Sequence, residues 1–563
     1  MALPLDEVRT QIPVYQQPTT PPPVSNPDPV EAAKRILDVG SQWGTDDYDK
    51  RLDAFADELG KGDALYREQL TAEIFKQDPN ALGSWLQPDR ANKLQNEGRI
   101  SHDQKGVLAE SLAAAYNNGD IPQFEIGVGP IPKDGNMGKV QMSQLENRLL
   151  SGFFTNGGLG AGPDTLQNAQ NLREFIDFFN VSSGPEVAAF RETFGKHLID
   201  QYVLNPAVGY NNPSQRDAAA LLATNILGFD NNRPEIAVNA LQGYDAGQLK
   251  TIMESAARAD GSLGQEAIKG LAESRGLNPR DASVYDGGTL LMLAVARTDS
   301  PAADKLAVEF AKMAHDAPSV FEGPGSKDRI DALTLTVSSH SKAVFDVLTN
   351  FDTTNIQGKS DTNNLQFKEN ATDLGALFQL TLFNPDSTYS ATLQDKIVDY
   401  ATGLTTAINQ PGSNTEEIGR LAMLQASLSD AITQGYDKLN ADEAKKKELI
   451  GFVVDLALSA LPVGKWTSAS VEKVIVDTFA NNPKLQDALK GLSGKLIDAT
   501  TGKLTDEAKK TIVDTLGKQE GSLEIAKNSV NHLNQMFAGQ ITDAADQTDL
   551  KTNYVTIYEA ITK

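Results

Sequence analysis

Glu416 to Trp466 reads EEIGRLAMLQASLSDAITQGYDKL, then NADEAKKK, then ELIGFVVDLALSALPVGKW, and this stretch decides the fold. In its first part Ile418, Leu421, Leu424, Leu428, Ile432, Tyr436 and Leu439 recur at steps of three and four. That spacing lays one apolar stripe along a helix. Thr415 stands ahead as an N-cap, and Glu416 and Glu417 fall in the first turn, where the helix dipole favours anions. Residues 440–447 are too polar for a core and predict a lysine-rich bend or a solvated helix end. From Leu449 to Leu461 only Gly451, Asp455 and Ser459 interrupt an apolar run, and Pro462 with Gly464 stops the helix. A membrane span needs about 20 apolar residues. This run is shorter and carries Asp455 near its middle, where an ionised carboxylate costs roughly 3 kcal/mol on insertion scales. The run therefore predicts a buried core helix, with a membrane-inserting segment near 449–461 as the alternative.

The same helical period extends outward on both sides. Residues 1–28 are dense in proline and poor in apolar residues, which predicts a disordered Pro-rich arm, a tail or a delivery signal. Asp28-Pro29 then opens a helix as N-cap and first-turn proline. Further helices follow over Asp49–Leu59 and Ala64–Lys76, and Ser101 with Gln104 forms a capping box before Val107, Leu108, Leu112 and Tyr116. Trp43 and Trp85 are expected as core anchors. Glycines and prolines predict breaks at 126–138 and 155–163. The second break, TNGGLGAGP, lacks the strand and the third glycine of a dinucleotide loop, and no GxxxxGK[ST] occurs. Helices resume from Asp164, one of them lined by Val187, Phe190, Phe194, Leu198 and Tyr202, and another capped by Ser214. Ile330–Leu348 fits either a strand or a helix. Phe351–Asn370 is a polar loop, and helices continue from Ala371 to the end. The expected organisation is an arm at 1–28, a helical module at 29–125, a Gly-rich linker at 126–163, a central helical domain at 164–350, a polar loop at 351–370 and a C-terminal helical domain at 371–563. The fold class is all-α, a multi-helix bundle or irregular α-solenoid. No strict repeat period is visible.

Composition narrows the chemistry. Acidic residues outnumber basic ones 75 to 51 over 563 residues, for a net charge of −24. Nucleic-acid affinity comes from Lys and Arg neutralising phosphates, so this balance opposes nucleic acid and an anionic membrane surface; it would attract a basic partner, while the plainer reading is that acidity keeps the protein soluble. The chain has no cysteine, which removes disulfides, thiolate zinc sites and cysteine nucleophiles together. Its five histidines, His102, His197, His315, His340 and His532, are far apart and form no HExxH. Ser338, Ser339, His340 and Ser341 beside Asp331 and Asp346 supply the residue types of a hydrolytic triad, but no nucleophile elbow surrounds the serines. Paired carboxylates such as Asp46-Asp47 read as solvated surface. No catalytic residue is assigned, and no cofactor or metal is expected. The first residues lack the apolar core of a Sec signal peptide, so export is expected to use a specialised apparatus.

Three stretches carry a resemblance to a known family. Residues 416–465 resemble the helical scaffold segments of bacterial polymorphic toxins and secreted effector proteins. HLIDQYVLNPAVGYNNPSQRDAAALLATNIL, from His197 to Leu227, is similar to their middle regions, and VLAESLAAAYNNGDI, from Val107 to Ile121, to a helix near their N-terminal ends. The resemblance implies a bacterial secreted effector or toxin scaffold, delivered without a Sec signal from the cytoplasm and acting by protein–protein interaction. It implies a secretion chaperone, a secretion component or an immunity protein as partner. Such scaffolds carry a small enzymatic toxin at the C-terminus, whereas this chain continues in amphipathic helices, so no enzymatic activity is expected from it. The alternatives are a membrane-perturbing toxin and a helical hydrolase with a carboxylate and histidine site.

Overall fold

The computed structural model describes residues 26–39, 45–130, 136–147, 174–211, 213–228, 233–263, 286–350, 365–383, 387–408, 415–439, 443–459 and 505–517, with a few isolated positions between 484 and 492. The proline arm up to residue 25, Trp43, the glycine-rich break at 155–163, His532 and the helices expected at 263–275, 471–479, 485–499, 522–537 and 552–561 lie outside these residues. By internal contacts the chain forms two units: Met1–Pro122 with Asp177–Val187, and Gln123–Ile176 with Ala188–Lys563.

The first unit holds α1 (Pro29–Asp38), α2 (Thr45–Leu59), α3 (Ala64–Gln77), the short α4 (Ala81–Ser84), α5 (Pro88–Asn96) and α6 (His102–Asn117). Asp28 caps α1 through the Val30 amide, and Asp63 caps α3 through the Tyr66 amide. Both halves of the capping box form at α6: Ser101 Oγ accepts the Gln104 amide at 3.1 Å, and Gln104 Oε1 accepts the Ser101 amide at 2.8 Å. Replacing Ser101 by alanine is expected to cost about 1 kcal/mol, read as a lowered midpoint in chemical denaturation. Trp85 is fully buried, with Phe55 edge-on at a ring separation of 5.9 Å and its indole N–H donating to Asp78 at 2.9 Å. Around it, α3 packs on α1 and α6, and α2 on α5 and α6. Asp49 on α2 is buried among Arg90, Lys93 and Arg99. Burial pushes its carboxyl up, but the hydrogen bonds and charges of Lys93 and Arg90 hold it below the ordinary value.

The second unit opens with a β-hairpin, β1 (Gln123–Pro130) against β2 (Met137–Ser143), where the glycines and prolines predict only a break. The glycines act here as pairing irregularities: the register shifts between Gly127 and Gly129. After it come α7 (Pro185–Leu198), a π-helical turn at Ile199–Val203, α8 (Pro206–Asn211), α9 (Pro213–Gly228), α10 (Glu235–Leu241) and α11 (Ala246–Leu263). Helix α9 begins at Pro213, one residue ahead of the expected Ser214 cap. Then follow α12 (Gly287–Arg297), α13 (Pro301–Asp316), a 3-10 turn at Pro318–Phe321, α14 (Ser326–Ser339) and α15 (Ser341–Leu348). The strand reading of 330–348 gives way to α14 and α15. Ile330, Leu333 and Val337 share the buried face of α14, and the Thr334, Thr336 and Ser338 hydroxyls bond back to carbonyls four residues earlier.

The chain closes with α16 (Leu365–Thr381), α17 (Ser390–Ile408), α18 (Thr415–Leu439), α19 (Glu443–Ser459) and α20 (Asp506–Gly517). Helix α16 starts inside the segment expected as polar loop. The lysine-rich bend is likewise narrower than the sequence implies, because α19 begins at Glu443 and its lysines lie within its first turns. Packing passes from neighbour to neighbour: α9 on α11 and α12, α12 on α14, α13 on α16, α16 on α18, α17 on α18 and α19, and α19 on α20. The fold is all-α with many helix–helix contacts, and the hairpin is its β element among the described residues. Leu449, Ile450, Phe452, Val453 and Leu456 of α19 are buried, so the apolar run is core. Asp455 pairs with Lys509 of α20 at 2.6 Å. Among the described residues no helix is long and apolar enough to cross a membrane.

Candidate functional site

Four histidines fall among the described residues, and each meets a different partner. His102 contacts Gln95 at 3.3 Å. His340 is buried, its Nδ1 2.8 Å from Asp304 and its Nε2 2.9 Å from the Val295 carbonyl, so it ties α14 to α12 and α13. Those contacts dissolve the triad pattern. Ser338 donates to the Thr334 carbonyl, Asp331 accepts the Thr388 amide, and Asp346 accepts from Tyr400 and Arg420.

His197 belongs to a more elaborate arrangement on α7 and the π-helical turn. His197, Gln201 and Asn205 recur at every fourth residue and face the outer edge of β2. His197 Nε2 lies 3.1 Å from the Gln141 carbonyl, Gln201 Oε1 accepts the Gln141 amide at 3.3 Å, and Asn205 donates to the Lys139 carbonyl at 3.5 Å. These side chains cover backbone groups that a bare edge strand would expose. Just after β2, Glu146 is fully buried; it accepts the Ser143 amide and stands 2.8 Å from His197 Nε2. Burial pulls the His197 imidazole down, but the hydrogen bond and charge of Glu146, with the Gln141 carbonyl and Asp200, lift it above the ordinary histidine value.

Among the described residues His315, Asp316 and Asp373 form a group of potential ligands whose donor atoms lie within 4.8 Å of one another. His315 and Asp316 end α13, where the helix dipole favours a cation. Asp373 sits on α16 with its side chain only 8% exposed; His315 Nδ1 is 3.0 Å from it and 3.4 Å from Asp316. Burial and then the Asp316 charge push the Asp373 carboxyl up to about 6, against the pull of His315 and Lys312. One imidazole and two carboxylates form a donor set that suits a borderline or hard divalent cation. They equally suit a proton shared between α13 and α16.

Both histidine sites contribute stability that is lost as pH rises, in successive pH ranges. A carboxyl raised in the folded state holds its proton more tightly there than when unfolded, so its contribution is present below the ordinary value and lost as pH rises through about 6. A raised imidazole contributes fully below the ordinary histidine value and loses that contribution as pH climbs through its folded value. Asp373→Asn is therefore expected to flatten the stability profile between 3.8 and about 6, and His197→Gln to flatten it above 6.5. Denaturant midpoints taken across that pH range check both.

A surface groove lies in each unit. In the first unit a groove of about 710 Å³ runs beside α3, floored by Ala72 and Phe75 and rimmed by Pro29, Gln69, Glu73 and Asp120. In the second, a groove of about 430 Å³ lies between Asn205, Arg216, Asp245 and Thr251. None of the four histidines lines either groove.

No protein-family model, curated protein or solved structure matches this chain. The His197–Glu146 and His315–Asp373 pairings join residues 51 and 58 positions apart, and nothing in the local sequence around them announces either.

Proposed function

We propose that this chain is a helical binding scaffold of the secreted-effector kind that acts through a protein partner. The observation that carries the reading is the groove along α3, lined by Ala72, Phe75, Glu73, Lys76 and Asp120, where Lys76 pairs with Glu73 at 3.0 Å and Asp120 supplies a second carboxylate. Such a surface suits a basic, extended segment of a partner, and the net charge of −24 steers a basic partner toward it. The side chains most suited to acid–base chemistry support the same reading, because His197, His315 and His340 each join one element of the second unit to another.

The test is co-purification of the chain with a small secretion chaperone or secretion component from a bacterium that exports it. Deleting residues 1–28 is expected to abolish both that association and export. Export that persists after the deletion rules out the arm as a delivery signal. Partner binding unchanged by Ala72→Arg rules out the groove as the contact surface.

A further inference from the structure

The Asp373 side chain is only 8% exposed, yet among the described residues its carboxylate has one hydrogen-bond partner, His315 Nδ1 at 3.0 Å. A carboxylate buried to that extent is ordinarily paired with a cation or coordinates a metal. Asp316 adds a second carboxylate 3.4 Å from the same nitrogen. One imidazole cannot neutralise both. Among the described residues no lysine or arginine forms an ion pair with either: Lys312 pairs with Glu309 at 3.6 Å, and Lys250 bonds the Asp316 main-chain carbonyl instead of its carboxylate. The rise of the Asp373 carboxyl, driven by burial and then by Asp316, is the mark of a cluster short of positive charge.

The donor spacing fits an ion. Ligand atoms held about 2.1 Å from one metal centre stand about 3.0 Å apart at right angles and about 3.4 Å apart in a tetrahedron. The separations from His315 Nδ1 are 3.0 Å to Asp373 and 3.4 Å to Asp316. His315 and Asp316 end the 16-residue helix α13, whose dipole adds attraction for a cation at that point. Both are exposed while Asp373 is buried, so water can complete the shell on the outer side. Calcium takes about six to eight oxygens, whereas one imidazole with two carboxylates suits a first-row transition dication. We propose that His315, Asp316 and Asp373 bind one divalent transition-metal cation, of which zinc is the reference, and that the bound ion clamps the end of α13 to α16. The site is independent of the partner reading above, which concerns the first unit.

The test uses the full chain without a histidine tag, stripped of metal by a chelator and titrated with Zn²⁺ by calorimetry near neutral pH. One equivalent is expected to bind and to raise the thermal midpoint of the second unit. His315→Gln and Asp373→Asn should each weaken binding about tenfold or more, since losing even an outer partner of a ligand costs about that much. His197→Gln, at the other histidine–carboxylate contact, should leave binding unchanged. Asp316→Asn alters an exposed side chain, so its own expected loss of about tenfold does not depend on whether Asp373→Asn folds. Three results overturn the proposal: no Zn²⁺ binding to the folded chain, which would leave only a proton shared between His315 and Asp373; binding that survives Asp316→Asn undiminished; or binding lost in His197→Gln, which would place the ion elsewhere.

Discussion

Arg329→Met is expected to destabilise the second unit by about 3–5 kcal/mol, read as a lowered denaturant midpoint. Arg329 is fully buried, and its guanidinium serves four acceptors at once. It pairs with Asp286, donates to the Val320 carbonyl, and donates to the Glu322 and Pro324 carbonyls at 2.9 and 2.8 Å. Three of those acceptors belong to the turn that carries the chain from α13 to α14. Gly323 and Gly325 in that turn have φ of 72° and 75°, a conformation that side-chain-bearing residues rarely adopt. The turn is thus held by glycines at its corners and by one cation at its centre. Asp286 in turn caps α12 through the Thr289 amide at 2.9 Å. Burial pushes the Asp286 carboxyl up, and the guanidinium and the Thr289 amide oppose that rise. Methionine matches much of the arginine volume but leaves a buried carboxyl and three carbonyls without their donor, each worth about 1–3 kcal/mol of desolvation. Arg329→Lys should recover only part of the loss, because a single ammonium cannot reach four acceptors set out for a planar fork. Asp286→Asn should cost less than Arg329→Met, since an amide oxygen can still cap α12. If Arg329→Met proved neutral, the pair would have to be regarded as a desolvated contact whose attraction barely offsets its burial.

The legible part of this molecule was its periodic part. Ile418, Leu421, Leu424 and Leu428 are all buried in α18, as their three-and-four spacing requires, because a helix puts such positions on one side whatever they pack against. Caps read well for the same local reason: Asp28 and Ser101 bond amides two or three residues away. The hairpin was obscured because its strand residues, QFEIGVGP, mix glycine and proline with short apolar alternation, and the pairing that fixes them comes from a partner strand. His315 and Asp373 were out of reach because 58 residues separate them and the packing of α13 on α16 brings them together. Arg329 was hidden in the same way, its Asp286 partner lying 43 residues earlier. Helical period says which side of a helix is buried, not which helix covers it, and the His315–Asp373 and Arg329–Asp286 pairings depend on the latter.

The run from Leu449 to Leu461 supplies the sharpest check on that distinction. Ile450 is fully buried in α19, a helix that packs on α17 and α20, whereas Asp455 on the same helix is part-exposed and paired with Lys509. Ile450→Asp removes about 1.5–3 kcal/mol of apolar burial. It also places a carboxylate where no cation was provided, at a further cost of several kcal/mol or a large upward pKa shift. The combined loss, about 5 kcal/mol or more, reaches the whole stability of an ordinary domain, so the C-terminal helices should be largely unfolded at neutral pH. Far-UV circular dichroism and a denaturant titration measure it. Ile450→Ala separates the two contributions, since it leaves only the cavity and should cost about 2–5 kcal/mol. Acid should partly rescue Ile450→Asp and not Ile450→Ala. The introduced carboxyl would have a folded pKa raised above its unfolded value, so stability returns as pH falls through the folded value. Asp455→Asn breaks only a part-exposed ion pair and should change stability by about 1 kcal/mol or less. A chain in which Ile450→Asp and Asp455→Asn had equal and small effects would not bury this face of α19, and the apolar run would then need another occupant.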